Sequence, residues 1–242
     1  MRFEAPLLPG VLISRYKRFL ADVRLADGDV VTAHCPNSGS MLSVSAPGSE
    51  VWLSRSDKPS RRLPYTWELI RVGEALVGIN TGRPGRIVEE ALAHDRVPEL
   101  AGYSSLRREV RYGRNSRIDL LLEAPGRPKC FVEIKNVTLK RDPGRDVPVA
   151  FPDAVTVRGT KHLVELGNMV QQGERAVMLY VVQRPDAERF AFADDIDRVY
   201  ARSAAFALAT GVEMLCYRCS VGIDAVRLTD AIPITAPALA TG

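Results

Sequence analysis

Two acidic residues interrupt a pair of apolar segments in residues 116–136. Asp119 lies in the first segment and Glu133 in the second, and a Pro-Gly turn separates the segments. Each segment alternates between apolar and other residues, which is typical of strands, so the stretch is predicted to form a β-hairpin. Carboxylates that face each other across a hairpin repel one another unless a positive charge lies between them.

The alternation also predicts the register of this hairpin. Placing Leu120 opposite Val132 makes one face apolar throughout, and it places Asp119 opposite Glu133 on the other face. Lys135, two residues after Glu133, points to the same face as the two acids. The acids and the lysine are therefore predicted to form one cluster.

Two interpretations of this cluster follow from the spacing. A bound Mg²⁺ or Mn²⁺ explains the paired acids, because both ions prefer carboxylate oxygens and water, and Lys135 would then orient that water or stabilise charge on a phosphate. Alternatively, the acids belong to a lattice of salt bridges on a solvated face, in which Asp119 pairs with Lys135 and Glu133 with Arg117.

The elements around the hairpin indicate two units in an α+β fold. Residues 1–82 contain short apolar segments at regular intervals with turn signals between them, which predicts a small β-barrel or sandwich. Residues 83–232 follow the order αβββαβ, with a helix that begins near Pro84 and a second helix over about 156–171. Residues 233–242 are rich in proline and alanine and are predicted to be a loose tail.

Composition and charge exclude several classes of protein. With 46% apolar residues in 242, the chain can bury one or two cores, and it has no apolar run long enough to cross a membrane and no secretion signal. We therefore expect a soluble, cytoplasmic protein with reduced cysteines, in which Cys216 and Cys219 point to opposite faces of a strand. The net charge is +4, and the excess of positive charge lies in residues 1–163, which favours a partner that carries phosphate.

Basic residues cluster in three places that could contact the phosphates of DNA. The segment RYKRF at 15–19 mixes cations with aromatic rings, as single-strand-binding barrels do, although Tyr16 could equally belong to the core. A predicted loop at 54–65 and the second predicted helix carry the others. The candidate DNA-binding residues are Arg15, Tyr16, Lys17, Arg18, Arg55, Lys58, Arg61, Arg62, Arg158 and Lys161.

Longer motifs resemble one family along nearly the whole chain. They are RYKRFLADV (15–23), AHCPNSGSM (33–41), PYTWELI (64–70), REVRYGRNSRIDLLLE (108–123), VEIKNVTL (132–139) and FPDAVTVRGTKHL (151–163). Together they resemble the sugar fermentation stimulation protein family, SfsA, and the D-x13-E-x-K pattern resembles PD-(D/E)XK nucleases. The resemblance implies an N-terminal OB-like β-barrel, a C-terminal restriction-endonuclease-like domain and DNA binding.

The nuclease resemblance also implies further site residues. Glu90 on the first helix would support a metal that Asp119, Glu133 and the backbone carbonyl of Ile134 hold, with Lys135 assisting the attack of water. The function expected from this is DNA binding with little sequence preference and a Mg²⁺- or Mn²⁺-dependent nuclease site. The alternatives are a non-catalytic DNA-binding regulator of sugar metabolism and an enzyme that acts on a small phosphorylated ligand. No membrane partner is expected, and a homodimer is compatible with the sequence.

Overall fold

The computed structural model describes residues 1–113, 116–142 and 146–237. These residues form a six-stranded barrel, a six-stranded sheet with helices on both faces, and a three-stranded sheet beside it. The predicted α+β class with an N-terminal OB-like barrel is confirmed. No helix among the described residues is long and apolar enough to cross a membrane.

The barrel consists of six strands in the order β3-β2-β1-β4-β5-β6. A parallel pairing of His34 with Thr66 joins β3 to β5 and closes the barrel. Its core is formed by inward-facing residues such as Leu12, Trp67 and Ile70, which are at most 1% exposed. The strands are β1 (Leu8–Tyr16), β2 (Leu20–Leu25), β3 (Val30–His34), β4 (Glu50–Arg55), β5 (Tyr65–Val72) and β6 (Ala75–Gly78).

The second unit contains the predicted αβββαβ order. Its large sheet has the order β15-β14-β12-β9-β8-β7, in which β12 pairs in parallel with β9 and with β14. A small sheet has the order β10-β11-β13. The elements are α1 (Pro84–Leu92), β7 (Ser105–Tyr112), β8 (Ser116–Glu123), β9 (Cys130–Val137), β10 (Leu139–Lys140), β11 (Val149–Phe151), α2 (Val157–Gln171), β12 (Arg175–Val182), β13 (Phe190–Phe192), α3 (Arg198–Thr210), β14 (Glu213–Val221) and β15 (Val226–Ala231).

Helices cover the two faces of the large sheet. Leu163 of α2 and Ala204 of α3 pack with Phe131 on one face, whereas Ile87 of α1 packs on the other. Cys216 contributes to the first core and Cys219 to the second, as the alternation of β14 predicts. Because each face of β9 meets a different helix layer, its residues 130–133 and Val137 are buried, whereas residues 134–136 are half-buried.

The helix ends are fixed by local hydrogen bonds. The side chain of Thr156 accepts a hydrogen bond from the backbone nitrogen of Gly159 at 3.0 Å and so caps α2. The carboxylate of Asp197 accepts one from the backbone nitrogen of Tyr200 at 2.9 Å and caps α3. Helix α1 begins at a proline, which is favourable in the first turn because its missing N–H group has no partner there.

The predicted loose tail is wrong for its first residues. The backbone nitrogen of Phe190 donates to the carbonyl of Pro233 at 2.9 Å, and the nitrogen of Thr235 donates to the carbonyl of Phe190 at 2.8 Å. Apolar residues explain the difference, since Ile232 and Ile234 pack on the core beneath α3. The remainder of the predicted tail, residues 238–242, lies outside the described residues.

Candidate active site

The β8–β9 hairpin has the predicted register over three pairs. These are Leu120 with Val132, Leu121 with Phe131, and Leu122 with Cys130. Next to them, the Asp119 carboxylate accepts a hydrogen bond from the backbone nitrogen of Ile134 at 2.6 Å. A side chain thus replaces a backbone acceptor, so the described ladder does not extend to the expected pairing of Asp119 with Glu133.

Glu133 lies under α2 and is 2% exposed. Its Oε1 accepts hydrogen bonds from Lys135 Nζ at 2.7 Å and from His162 Nδ1. Its Oε2 is buried, and no group in the described part of the chain is hydrogen-bonded to it. The alternative of a solvated salt-bridge lattice is therefore wrong in its geometry, because Lys135 pairs with Glu133 rather than Asp119 and the pair is buried.

His162 connects the acid to a second cation. An ionised carboxylate only accepts hydrogen bonds, so the proton of a neutral His162 lies on Nδ1, which faces Glu133. Its Nε2 then accepts a long hydrogen bond from Arg158 Nε at 3.4 Å. His162 is 3% exposed, and packing within α2 holds its ring beside the acid.

The two acids have opposite pKa shifts. Burial, followed by the negative charge of Glu133, raises the pKa of Asp119 to about 6. Burial alone would also raise the pKa of Glu133, but the hydrogen bond from His162 and the charge of Lys135 outweigh it, so that pKa lies below its usual range. Glu133 is thus held as a carboxylate, and Asp119 is not fully compensated by the residues around it.

The acids open onto a cavity of about 530 Å³ between the barrel and the second unit. Both units contribute to its wall. The lining residues include Arg18, Asn37, Ser38, Gly39, Gly82, Gly85, Arg108, Glu109, Asp119, Glu133, Ile134, Lys135, Asp153, Arg158 and His162. The structure therefore brings together Asp119, Glu133, Ile134 and Lys135, as the sequence predicts.

Hydrogen bonds join the two units at one wall of the cavity. The Asp153 carboxylate accepts a hydrogen bond from the backbone nitrogen of Met41 at 2.9 Å, and the hydroxyl of Ser40 donates to the Asp153 carbonyl. A Cβ at Gly39 would lie 2.5 Å from the same carboxylate, so only glycine fits there. The position of the barrel relative to the acids is fixed by this contact.

Glu90 does not lie with the other acids. Its carboxylate is 2.7 Å from the nitrogen of Met1, outside the cavity. Its neighbour Glu89 is 2.8 Å from Arg108 Nε. The prediction that Glu90 supports the site is therefore wrong in its placement, because the buried stripe of α1 turns this residue toward the N-terminal segment.

Glu109 is the acid that the sequence interpretation missed. It lines the cavity, and its negative charge contributes to the raised pKa of Asp119. In the antiparallel β7–β8 ladder, Arg108 pairs with Leu120 and Val110 with Ile118, so Glu109 lies at the position opposite Asp119. Extending the register argument by one strand could have found it.

The RYKRF segment divides between structure and surface. The Arg15 guanidinium donates to the carbonyls of Asn37 and Gly39, both at 2.9 Å, so it organises that loop rather than facing solvent. The Tyr16 hydroxyl donates to Asp22 at 3.0 Å. These two predicted DNA-binding residues are therefore committed to contacts within the barrel, whereas Lys17 and Arg18 are exposed and Arg18 lines the cavity.

The other predicted DNA-binding cations lie in two separate places. Arg55, at the end of β4, is exposed, as are Lys58, Arg61 and Arg62 on the β4–β5 loop, where Arg61 donates to the Thr66 hydroxyl. Arg158 lines the cavity, and Lys161 lies one turn further along α2, 3.7 Å from Glu165. Of this group, Arg158 alone is among the residues that line the described cavity.

No three His, Cys, Asp or Glu side chains of the described ranges are grouped so that they could hold a metal ion together. A site built on the acid pair would therefore use two carboxylates, with the remaining positions filled by backbone carbonyl, water or phosphate. Mg²⁺ is commonly bound in this way, through one or two carboxylates and substrate phosphates.

Family comparisons match both units. The model of the SfsA N-terminal OB domain matches residues 13–79, and the model of the sugar fermentation stimulation protein RE domain matches residues 82–225. The chain belongs to the SfsA family. The sequence resemblance to this family is thereby confirmed.

Relatives in the SfsA family span the same length. A sugar fermentation stimulation protein homolog of Rhodospirillum rubrum is 57% identical, covering 98% of this chain and all of the relative. Another homolog, from Paramagnetospirillum magneticum, is 59% identical, and the match covers 94% of this chain and 95% of the relative. The structure of Pyrococcus furiosus SfsA in complex with Ca²⁺ is 24% identical and covers 97% of this chain and 98% of that one with a TM-score of 0.87, which shows a shared fold.

Proposed function

We propose that this protein is a DNA-binding nuclease that requires Mg²⁺ or Mn²⁺. The observation that carries the proposal is the buried Oε2 of Glu133, which lies in a polar cavity next to Asp119 and has no hydrogen-bond partner among the residues that the structure describes. A buried carboxylate oxygen without a donor is unfavourable. A divalent cation is the ligand that would satisfy it and also compensate the negative charge of Asp119.

The residues present fit such an ion. Asp119 and Glu133 would hold it, with the backbone carbonyl of Ile134 as a third oxygen ligand. When bound, a divalent ion lowers the pKa of its water and neutralises charge on a phosphate. The family relationship to Pyrococcus furiosus SfsA, whose structure is a complex with Ca²⁺, agrees with an oxygen-ligand site.

The chain supplies the remaining chemistry through its cations. Lys135 has a side chain that is 13% exposed and an ammonium group next to the Glu133 carboxylate, so it can stabilise negative charge that develops on a phosphate. Arg158 lines the same cavity and can hold a phosphate oxygen. His162 is a positioning residue, since its proton fixes the orientation of Glu133.

DNA as the substrate is supported by the distribution of basic residues. Arg55, Lys58, Arg61 and Arg62 form an exposed group on the barrel, and Arg18 extends from the barrel into the cavity. Contacts of this kind bind the phosphate backbone without reading bases, so we expect binding with little sequence preference and a strong dependence on salt.

A cleavage assay with matched variants tests the proposal. Purified protein is incubated with single- and double-stranded DNA in Mg²⁺, in Mn²⁺ and in chelator. Cleavage is expected with either metal and not with chelator, and Asp119→Asn and Glu133→Gln should each abolish it. Cleavage that persists in chelator, or that both variants retain, would show a contaminating nuclease or another site.

A non-catalytic DNA-binding regulator is the second candidate. The observation in its favour is the absence, among the described residues, of a three-member metal-ligand group. It predicts DNA binding without metal-dependent cleavage. The third candidate, an enzyme for a small phosphorylated ligand, fits a cavity of about 530 Å³. For that enzyme, affinity would not rise with the length of an oligonucleotide.

A further inference from the structure

The turn between β1 and β2 has an unusual backbone. Lys17 and Arg18 are consecutive residues with φ of 47° and 62°, in the left-handed region that favours glycine. Side chains with a Cβ persist there only when the surroundings hold them, and such residues cluster at functional sites. Glycine at either position would form the same turn with less strain, so the side chains themselves require an explanation.

Contacts from Arg15 hold this turn in place. Arg15 Nε donates a hydrogen bond to the carbonyl of Arg18 at 3.1 Å. The other nitrogens of the same guanidinium donate to the carbonyls of Asn37, Gly39 and Ser40. One half-buried cation therefore fixes both the turn and the loop that follows β3.

That loop is in turn bound to the second unit. Met41 and Ser40 are hydrogen-bonded to Asp153, and the Asn37 side chain donates to the carbonyl of Ile79 at 3.1 Å, just before the second unit begins. The strained turn is thus connected to the acid-containing cavity through a continuous set of hydrogen bonds. These hydrogen bonds hold the turn in a defined position at the cavity.

Arg18 itself is held but not paired. Its side chain is exposed and lines the same cavity as Asp119, Glu133 and Lys135. In the part of the chain that the structure describes, no hydrogen bond or ion pair occupies its guanidinium. Lys17, which has the same strain and charge, does not line the cavity. An unpaired guanidinium on a fixed backbone is suited to bind a phosphate through two oxygens.

We propose that Arg18 binds a second phosphate of the nucleic acid strand whose scissile phosphate lies at Asp119 and Glu133. This inference rests on the proposed nuclease function and adds to it that the barrel contributes directly to the catalytic cavity. The second phosphate is either an internal phosphodiester next to the scissile one or a terminal phosphate. In both cases one strand is bound by the two units at once.

Binding of short oligonucleotides in chelator tests the inference without cleavage. The probes are a thymidine hexanucleotide without terminal phosphates, the same strand with one neutral methylphosphonate at each internal position in turn, and the same strand with a 5′ or a 3′ phosphate. The proteins are the wild type, Arg18→Gly and Lys17→Gly. The two glycine variants lose the same charge from the same turn and relieve the same kind of strain.

Arg18→Gly is expected to weaken binding by about tenfold, which is typical for the loss of a charge-assisted hydrogen bond, and Lys17→Gly by no more than about threefold. A single neutral linkage, or the lack of one terminal phosphate, should weaken binding to the wild type and have little effect on Arg18→Gly. An internal position identifies the phosphodiester, and a terminal one identifies the end phosphate.

Stability and a second variant separate binding from folding. Both glycine variants should melt at or above the wild-type temperature, since glycine tolerates this backbone. Arg18→Gln repeats the binding comparison without adding a glycine. If either Arg18 variant binds every probe as tightly as Lys17→Gly, the inference is wrong. If the wild type binds none of the probes, the inference is wrong as well, and the cleavage assay with metal on single- and double-stranded DNA then decides the proposed function separately.

Discussion

The backbone nitrogen of Ile134 donates its hydrogen bond to the Asp119 carboxylate, at 2.6 Å, instead of to a backbone carbonyl of β8. This places an acid at the point where the described β8–β9 ladder ends. The space beside the ladder is part of the cavity that Glu133 and Lys135 also line. Asp119 and Glu133 therefore lie in different environments, and the difference can be measured through the effect of each acid on stability.

Asp119→Asn is expected to stabilise the protein in the absence of metal at pH 7. Burial and the charge of Glu133 raise the pKa of Asp119 to about 6, so its ionised form is unfavourable in the folded protein. Asparagine keeps an oxygen that can accept from Ile134. We expect a gain of ~1–3 kcal/mol in the free energy of unfolding, measured by denaturant titration in chelator.

The pH dependence of this gain has a defined sign. The ordinary pKa of Asp119 is 3.8, and in the folded protein it is about 6. Between these two pH values, Asp119 is protonated in the folded state and ionised in the unfolded state. The stability from that proton is present below this range and is lost as the pH rises through it, so the advantage of Asp119→Asn should grow from pH 4 to 6.

Asp186 provides a control of opposite sign. Burial would raise its pKa, but the hydrogen bonds and the charge of Arg184 lower it. Asp186→Asn should therefore be destabilising at neutral pH, and its effect should decrease in acid. An Asp119→Asn effect that is constant from pH 4 to 6 would contradict the proposed environment of Asp119.

The acid that assists the Asp119–Glu133 pair through its charge, without ligating the ion, is expected to be Glu109 and not Glu90. Glu109 lies in the cavity opposite Asp119, whereas Glu90 lies against the nitrogen of Met1. Isothermal titration with Mn²⁺ should show affinity reduced by about threefold to tenfold in Glu109→Gln, because one negative charge near the ion is lost. Glu90→Gln should bind Mn²⁺ as the wild type does. The reverse order of the two variants would restore the original assignment.

Period and register predicted the two units, the αβββαβ order and the local cluster, whereas the OB-like barrel and the restriction-endonuclease-like domain were expected from the resemblance to the SfsA family. Alternation in β8 and β9 is sufficient to place Leu120 opposite Val132 and to bring Lys135 to the side of Glu133. The contacts that the sequence did not predict come from other elements. His162 reaches Glu133 only because α2 packs over β9, and Asp153 reaches Met41 only because the barrel lies against the second unit.

Arg15 was predicted to bind DNA from its sequence neighbours alone, and that prediction missed its tertiary contacts. A cation next to aromatic residues has the composition of a phosphate site, but composition does not show whether carbonyl groups of the same chain already occupy it. In the structure, the carbonyls of Asn37, Gly39 and Ser40 do so. Glu90 shows the same limit, since its position on α1 depends on which stripe of the helix is buried.

The main expected effect of Arg15→Ala is therefore a loss of stability and not a direct loss of DNA binding. Its guanidinium donates four hydrogen bonds, to the turn at Arg18 and to the loop after β3. Their loss is expected to reduce the free energy of unfolding by ~1–3 kcal/mol, measured by thermal and denaturant unfolding. Arg24→Ala, which removes an exposed cation of the same barrel, is the control and should change stability by less than ~0.5 kcal/mol. Equal stability of the two variants would mean that the Arg15 network does not support the loop.

Removing Arg61 and Arg62 together should weaken DNA binding without changing its sequence preference. Both residues are exposed on the β4–β5 loop, and cations that contact phosphates position a protein on DNA without reading its sequence. Fluorescence anisotropy over a range of salt concentrations should give a salt slope reduced by at most about two phosphate contacts, with similar losses for unrelated sequences. An affinity that is independent of salt and confined to one sequence would contradict this mode of binding.

Lys135→Ala distinguishes the nuclease from the non-catalytic regulator. The Lys135 ammonium lies 2.7 Å from Glu133 Oε1, but His162 also donates to that oxygen, so the variant should still bind Mn²⁺. If Lys135 stabilises charge on the phosphate, cleavage should decrease by ~100-fold or more while DNA affinity changes little. Lys129→Ala is the matched control, because Lys129 precedes β9, has a side chain that is 51% exposed and lies 3.4 Å from Glu123 outside the cavity. Cleavage that Lys135→Ala and Lys129→Ala retain equally would remove Lys135 from the mechanism, and a wild type that binds metal and DNA but cleaves no nucleic acid would favour the regulator.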